Sequence, residues 1–432
     1  MDVAVIGLGH VGLTLAISFT QAGVKVTGIE ASKEKIKQII NGSTSVLEND
    51  LEKFTQDAIT QGNLIISDDI SKITEDVIII SVGTPLTVEG RVDNSYLQEV
   101  IQSLKQLLKG NEIIILRSTV KVGATTEIYN EINKLFPKVG IAFCPERTIE
   151  GNAISEIKNL PQIISGNSSE TIARVKEVFL KITNDIIVAR KFEVAESAKL
   201  YSNIWRDTIF GIANEISLTL SYLGLNPTEV INLANYNYPR NNIPLPGPVG
   251  GPCLSKDTHI LKDSLNLNDK NPNLLKISLS ARELNRNYSL FIFEKIVKKL
   301  NINFHDLKVL FLGISFKGQP ASKDWRGSPI FPMIESCISN KIAYRCWDPH
   351  GESVEFSKSS EIIIEDNLEK GLREANLIIV QNNDTFFTSK EFADCLVNIK
   401  NLSTDKFIFD FWDRIEIASN LNVKQIRLES IW

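Results

Sequence analysis

The sequence predicts an α/β protein in which two doubly wound sheets bracket a helical middle region. Three observations predict it. Short apolar runs alternate with helical patterns from the N-terminus to about residue 187. The alternation then gives way to two long helical patterns, and it resumes after His305. Strands that alternate with helices pair in parallel, because each crossover helix must pack back on its own sheet. The expected boundaries are 1–188 for the first domain, 189–300 for the middle one and 301–432 for the last.

The first unit is the clearest. "VAVI" reads as a buried strand, "GLGHVG" as a glycine-rich turn, "LTLAISFTQAG" as a helix ending on Gly23, and "VKVTGIE" as a second strand ending on Glu30. Further strand runs are "LIIS", "DVIIISV", "EIIILRS" and "VGIAFCP". From Phe192 to Gly224 the helical pattern is unbroken, and a second follows in "NLLKISLSARELNRNYSLFIFEKIVKKL". A helix of the first kind joins domains or packs against a second subunit. In the last domain "KVLFLGISFK", "AYRCWDP", "EIIIE", "NLIIVQ" and "KFIFD" read as strands.

The chain has 432 residues, 43% hydrophobic and 23% charged, which suits two or three soluble domains. Its formal net charge of −5 gives no electrostatic reason to expect nucleic acid or a membrane surface as partner. No apolar run reaches the ~18 residues of a membrane span, and "MDVAVIGLGH" has no basic leader. Five cysteines (Cys144, Cys253, Cys337, Cys346 and Cys395) show no CxxC spacing, so neither a disulfide framework nor a metal site is expected, and a reducing cytoplasm fits.

Gly7, Gly9 and Gly12 form GxGxxG between a strand and a helix, with Glu30 18 residues beyond at a strand end. That context makes the first domain Rossmann-like. The glycines permit a tight turn and close backbone approach of a pyrophosphate to the helix N-terminus. Glu30 would accept hydrogen bonds from the adenine ribose and repel a 2′-phosphate, which favours NAD over NADP. Lys35 either reaches the cofactor's edge or is a solvated helix charge. "SVGTP" and "RSTV" end strands with Thr84 and Thr119, which either line the ligand crevice or cap turns. Glu146 and Glu150 in "FCPERTIEG" lie in the same region, where a carboxylate could hold a water or take a proton. Cys144 reads as a small buried hydrophobe.

Lys199 and Asn203 stand four apart in the long helix, with Arg206 three further on. The Lys–Asn pair could stabilise a developing alkoxide, or the three could be a solvent-facing charged stripe. The stretch "IPLPGPVGGPCLSKDTHIL" sets Cys253 at the end of a rigid loop where a helix could begin. If "CLSKDTHIL" is one helix, Cys253 and Asp257 share a face and the thiol meets the helix N-terminus, a setting for a nucleophile.

Taken in order, "GLGHVGL", "VGTP", "RSTV", "CPERTIEG", "AKLYSNIWRD", "PGPVGGPC", "GISFKGQPASKDWRGSP" and "WDP" resemble the nucleotide-sugar 6-dehydrogenases of the UDP-glucose/GDP-mannose dehydrogenase family over nearly the whole chain. The resemblance implies two Rossmann-like domains joined by a long helix and a helical central dimerisation domain. It also implies NAD as cofactor and a UDP-sugar as substrate. In that chemistry a C6 alcohol is oxidised twice to a carboxylate. Cys253 would form the thiohemiacetal and then the thioester, which keeps the aldehyde bound between the two oxidations. Lys199 and Asn203 would stabilise the oxyanion, and Asp257 with Thr119 would position the base or the hydrolytic water. Glu146 and Glu150 match acidic residues beside the reacting centre. Gly7, Gly9, Val11, Gly12, Glu30, Lys35, Thr84, Thr119 and Arg326 match cofactor positions. Glu146, Arg147, Arg206, Arg240, Gly250 and Lys317 match substrate positions, Arg240 reaching a partner subunit's substrate in a homodimer or higher homo-oligomer.

Arg206 in "NIWRD" and Arg147 in "CPER" are similar to the N-acetylhexosamine branch, with UDP-N-acetylmannosamine foremost and UDP-glucose or UDP-N-acetylglucosamine as alternatives. The product would feed surface polysaccharide synthesis. Pro252 stands where many members have His, Glu30 where Asp is usual, and Lys323 at the first Asp of a "DDxR" pattern. A two-electron hydroxyacid dehydrogenase or a non-catalytic NAD-bound scaffold would share the glycine turn without needing the thiol.

Overall fold

The computed structural model describes residues 1–44, 47–87, 89–265, 273–351, 362–398, 406–415 and 423–432. The chain folds as two compact units, Met1–Ser202 with His259–Asn271 and Asn203–Thr258 with Pro272–Trp432. In the first, β1 (Val3–Ile6), β2 (Val26–Ile29), β3 (Leu64–Ser67), β4 (Val77–Ile80), β5 (Ile113–Leu116), β6 (Gly140–Phe143), β7 (Gln162–Gly166) and β8 (Ile186–Val188) form one sheet. Its order is β3-β2-β1-β4-β5-β6-β7-β8. All pairs are parallel except β6 with β7. The chain winds outward both ways from β1 and β4, which places the topological switch point, and the ligand crevice of such sheets, at their carboxyl ends.

Alternate strand residues face opposite layers. Val3, Val5, Val77, Ile79, Ile113 and Ile115 pack into one core with the helix His10–Gln21. Ala4, Ile6, Ile78, Ile80, Ile114 and Leu116 pack into a second with the helices Ser95–Lys105 and Ala124–Asn133. Strands covered on both faces are continuously apolar, which is why "VIII" and "IIIL" carry no alternation.

In the second unit β9 (Lys308–Leu312), β10 (Ala343–Trp347), β11 (Leu377–Val380), β12 (Lys406–Asp410) and β13 (Val423–Ile426) form an all-parallel sheet ordered β10-β9-β11-β12-β13. Its switch point lies between β9 and β11. The long helices span Phe192–Tyr222 and Lys276–Leu300. Two expectations change. The run "EIIIE" contributes only an isolated bridge between Ile364 and Cys346, and Glu361 lies outside the described residues. "CLSKDTHIL" is not one helix: Gly251–Leu254 forms a single turn and a new helix starts at Asp257, with Ser255 and Lys256 as the turn between them. Ser255 Oγ donates to the Gly251 carbonyl at 2.8 Å, so the first turn is closed by a side chain rather than continued.

Candidate active site

In the first unit the glycine turn follows β1. Gly7 has φ +88°, and a Cβ there would lie 2.9 Å from the Ser81 carbonyl oxygen after β4. A Cβ at Gly12 would run into the Gly7 carbonyl, whereas one at Gly9 would meet nothing within 4 Å. Two glycines are therefore required by the protein's own packing, and the third leaves open space over the helix N-terminus, where a pyrophosphate approaches. Val11 is half-buried in the first turn of that helix. Glu30 accepts the amides of Leu8 and Ser32, each at 3.0 Å, which fixes its carboxylate beside the glycine turn. Lys35 sits in the first turn of the next helix, capped by Ser32. This donor set fits a dinucleotide.

At the neighbouring strand ends the Thr84 hydroxyl donates to the Thr119 carbonyl, which ties the loops after β4 and β5 together. After β6, Glu146 is buried and both its oxygens are engaged. Oε2 pairs with the buried Arg117, and Oε1 accepts the amides of Arg147 and Thr148, each at 2.7 Å. Burial pushes this carboxyl up, but the Arg117 guanidinium and the Thr148 hydrogen bonds more than offset it and hold it below the ordinary carboxylate range. Arg147 donates to the Pro161 carbonyl, and Glu150 is half-buried. Lys199 is buried, so it does not belong to a solvated stripe. One turn before it, Glu196 accepts the Gly123 amide at 2.7 Å and the Thr125 amide at 2.9 Å, capping the helix Ala124–Asn133. Burial raises its carboxyl despite those bonds.

In the second unit Cys253 is the only exposed cysteine of the five. Asn203 Nδ2 donates to the buried Asp257 Oδ2 at 2.6 Å. Three neighbouring segments pack around the cysteine turn. The Gly251 amide donates to the Gly327 carbonyl at 2.9 Å, and a Cβ on Gly250 would strike that carbonyl oxygen. A Cβ on Gly251 would strike the Phe316 ring, and one on Gly247 would lie 2.7 Å from the Trp412 ring. The loop is glycine-built because three neighbouring segments press on its backbone. Lys317 follows Phe316 and lies 5.6 Å from its ring centroid. Arg326 is half-exposed and held by the Asp324 carboxylate through Nε and Nη2. Arg206 and Arg240 are exposed, the latter stacked 4.5 Å from the Tyr238 ring centroid.

Sequence reasoning missed a buried polar network beside this turn. Asp207 pairs with Arg282 at 2.9 Å, Asn285 Nδ2 donates to Asp207 Oδ1 at 2.8 Å, and Asn214 Nδ2 donates to Asn285 Oδ1 at 2.9 Å. It also missed His350, whose Nε2 lies 2.7 Å from Asp384 Oδ2 across the ends of β10 and β11. The Asp384 hydrogen bond raises the His350 pKa against the effect of burial, with Asp348 adding and Lys323 opposing. The folded value exceeds the unfolded one, so this stabilisation is complete below about pH 6.5 and is lost as pH rises through the higher folded value. A His350→Gln variant is expected to show its largest melting deficit below pH ~6.5 and a shrinking one above it, read by differential scanning fluorimetry. A deficit independent of pH would count against the ion pair.

Three family models match in sequence: the UDP-glucose/GDP-mannose dehydrogenase family's NAD binding domain at residues 1–183, its central domain at 193–287 and its UDP binding domain at 310–416. The UDP-N-acetyl-D-mannosamine dehydrogenase of Methanocaldococcus jannaschii is 31% identical over 412 residues, covering 94% of this chain and 91% of the relative. That of Escherichia coli strain K12 is 29% identical over 353 residues, covering 77% and 81%. The solved structure of the UDP-D-ManNAc dehydrogenase from Pyrococcus horikoshii matches with TM-score 0.84 and 28% identity over 99% of both chains. The glycine turn and fixed Glu30, the three models in order and the whole-length relatives agree: this chain belongs to the UDP-glucose/GDP-mannose dehydrogenase family and is an NAD-dependent dehydrogenase.

Proposed function

We propose that the chain oxidises the C6 alcohol of UDP-N-acetylmannosamine to the carboxylate in two steps, with Cys253 as covalent handle. The observation that carries this reading is an exposed thiol on a tightly packed glycine turn, one turn of chain ahead of the Asn203–Asp257 pair. NAD, when bound, would supply the hydride acceptor, one molecule for each of the two oxidations, and the proton released with each hydride would pass to solvent. The residues at Gly7, Gly9, Val11, Gly12, Glu30, Lys35, Thr84, Thr119 and Arg326 would hold the cofactor. Lys199 and Asn203 donate to the oxygen that becomes an alkoxide. The Cys253 sulfur adds to the C6 aldehyde, and the aldehyde oxygen takes a proton to give the thiohemiacetal. Loss of a second hydride and a proton leaves the thioester. Water adds to its carbonyl, the C–S bond breaks, and the thiol is regenerated with the carboxylate. Asp257 with Thr119 positions that water, Glu146 and Glu150 lie beside the reacting centre, and the Asp257 or Glu150 carboxylate receives the proton. Gly250, Lys317, Arg147, Arg206 and Arg240, with Glu146, bind the nucleotide sugar.

The named relatives and Arg206 with Arg147 favour the N-acetylmannosamine sugar over UDP-glucose and UDP-N-acetylglucosamine. The order of the three family models supports a division at 1–188, 189–300 and 301–432. A homodimer is supported by Trp205 and Ile212. They lie seven residues apart on one face of the long helix and are 65% and 49% exposed. Among the described residues no helix is long and apolar enough to cross a membrane, and we place the enzyme in the cytoplasm, supplying surface polysaccharide synthesis. Turnover against a panel of UDP-sugars tests the reading. UDP-N-acetylmannosamine should give the highest kcat/KM, with about two NADH formed per sugar. One NADH per sugar would overturn the four-electron reaction, and preference for another sugar would overturn the substrate.

A further inference from the structure

We propose that Asn214 and Arg282 are positioning residues for the Cys253 thiol, an inference that rests on Cys253 being the nucleophile. Both act on the backbone of the loop leading to it. Asn214 clamps Gly247 from both sides of the peptide: Nδ2 donates to its carbonyl at 3.1 Å and Oδ1 accepts its amide at 2.9 Å. Arg282 Nη2 donates to the Val249 carbonyl at 3.3 Å. Only Gly250, Gly251 and Pro252 separate that second anchor from Cys253.

The anchors are themselves fixed. Arg282 is buried and pairs with the buried Asp207, and Asn285 joins the two anchors by bonding Asp207 and Asn214. The Asp207 carbonyl also accepts from Asn285 at 2.8 Å, and further along Ser217 bonds the Tyr288 hydroxyl at 2.9 Å. The network ties the long helix Phe192–Tyr222 to the helix Lys276–Leu300 and ends on the cysteine loop. From the other side Trp412 presses on Gly247 and Gly327 receives the Gly251 amide, so the loop has one seat. From Pro244 to Pro252 the loop has no polar side chain of its own to hold it. Its place must come from groups that grip the backbone, and Asn214 and Arg282 supply that grip. Displacing a nucleophile by about 1 Å can cost on the order of 10²-fold in rate without changing how substrate binds.

The test compares Asn214→Ala and Arg282→Lys with the wild type and with Cys253→Ser, all as full-length enzyme. The expected result is a fall in kcat on the order of 10²-fold, with KM for UDP-sugar and NAD within about threefold. The rate at which iodoacetamide alkylates Cys253 in the substrate-free enzyme, followed by intact mass, should shift by about fivefold or more. Circular dichroism selects the folded variants, and Asn214→Asp, which keeps the volume and loses both hydrogen bonds that Nδ2 donates, replaces Asn214→Ala if that variant does not fold. The inference is overturned if the folded variants keep kcat within about threefold, or if kcat falls while alkylation is unmoved. Turnover that survives Cys253→Ser instead overturns the underlying assignment of the nucleophile.

Discussion

Cys253→Ser is expected to remove steady-state turnover, lowering kcat by about 10³-fold or more while UDP-sugar and NAD still bind. A thiol does two things here that a hydroxyl does not. It adds readily to an aldehyde, and it leaves readily from the acyl carbon once water has attacked. Serine would give a hemiacetal and then an ester, both slower to form and to release. The structure adds a reason to expect a clean effect: Cys253 is exposed on its turn, so the substitution leaves no cavity, and the backbone packing on Gly327, Phe316 and Trp412 is untouched. By contrast Cys144, Cys337 and Cys346 are buried and burial pushes their thiols up, Cys337 to about 12, so they are poor nucleophiles. Isothermal calorimetry and NADH absorbance check the outcome together. A variant that retains more than about a tenth of wild-type turnover at two NADH per sugar would sink the covalent mechanism.

The parts that were legible in the sequence are those where a local constraint speaks for itself. The strands β1, β4 and β5 are apolar throughout because both faces are covered, and the glycines at 7 and 12 are fixed by backbone contact that any side chain would breach. Three strands were missed: β7 is the short "QIISG" that pairs antiparallel with β6, β8 is three residues long and largely exposed, and β13 is "VKQI", half polar. The site followed the same rule. Cys253 stood out because its loop is built of glycine and proline. Asp207, Asn214, Ser217 and Ser221 carry no signal in the sequence, since a helix buried by a polar partner and a helix facing water share one spacing. Their partners Arg282, Asn285 and Tyr288 lie more than 60 residues away, and the matching spacing there acquires meaning only once the two helices are side by side. Lys199 is a case the spacing left open between an oxyanion donor and a solvated stripe, and its burial removes the second.

Arg117→Met is expected to produce the largest loss of stability in the first unit. Arg117 is 2% exposed, donates to three acceptors and lies over a ring. It pairs with Glu146 through Nε and Nη2, donates to the Cys144 carbonyl at 3.3 Å and to Gln162 Oε1 at 2.9 Å, and lies 5.6 Å from the Phe179 ring centroid. Methionine fills much of the volume but leaves the Glu146 carboxylate buried without a counter-charge. Breaking one side of such a pair costs about 3–5 kcal/mol, which for a unit of this size lowers Tm by roughly 6–20 °C. Arg117→Met with Glu146→Gln should recover part of the loss, because no charge is then stranded. The pH dependence follows from the sign. In the wild type the Glu146 carboxyl is held low, so its contribution is present above the ordinary value near 4.3 and fades as pH falls through the folded value. In the variant only burial and the amides of Arg147 and Thr148 remain. Burial then favours the protonated acid, and lowering the pH should relieve the variant. The melting gap between the two proteins is therefore expected to narrow steadily from pH 7 toward pH ~4.5. A gap that stays constant over that range would show that Arg117 acts through packing on Phe179 and not through the charge of Glu146.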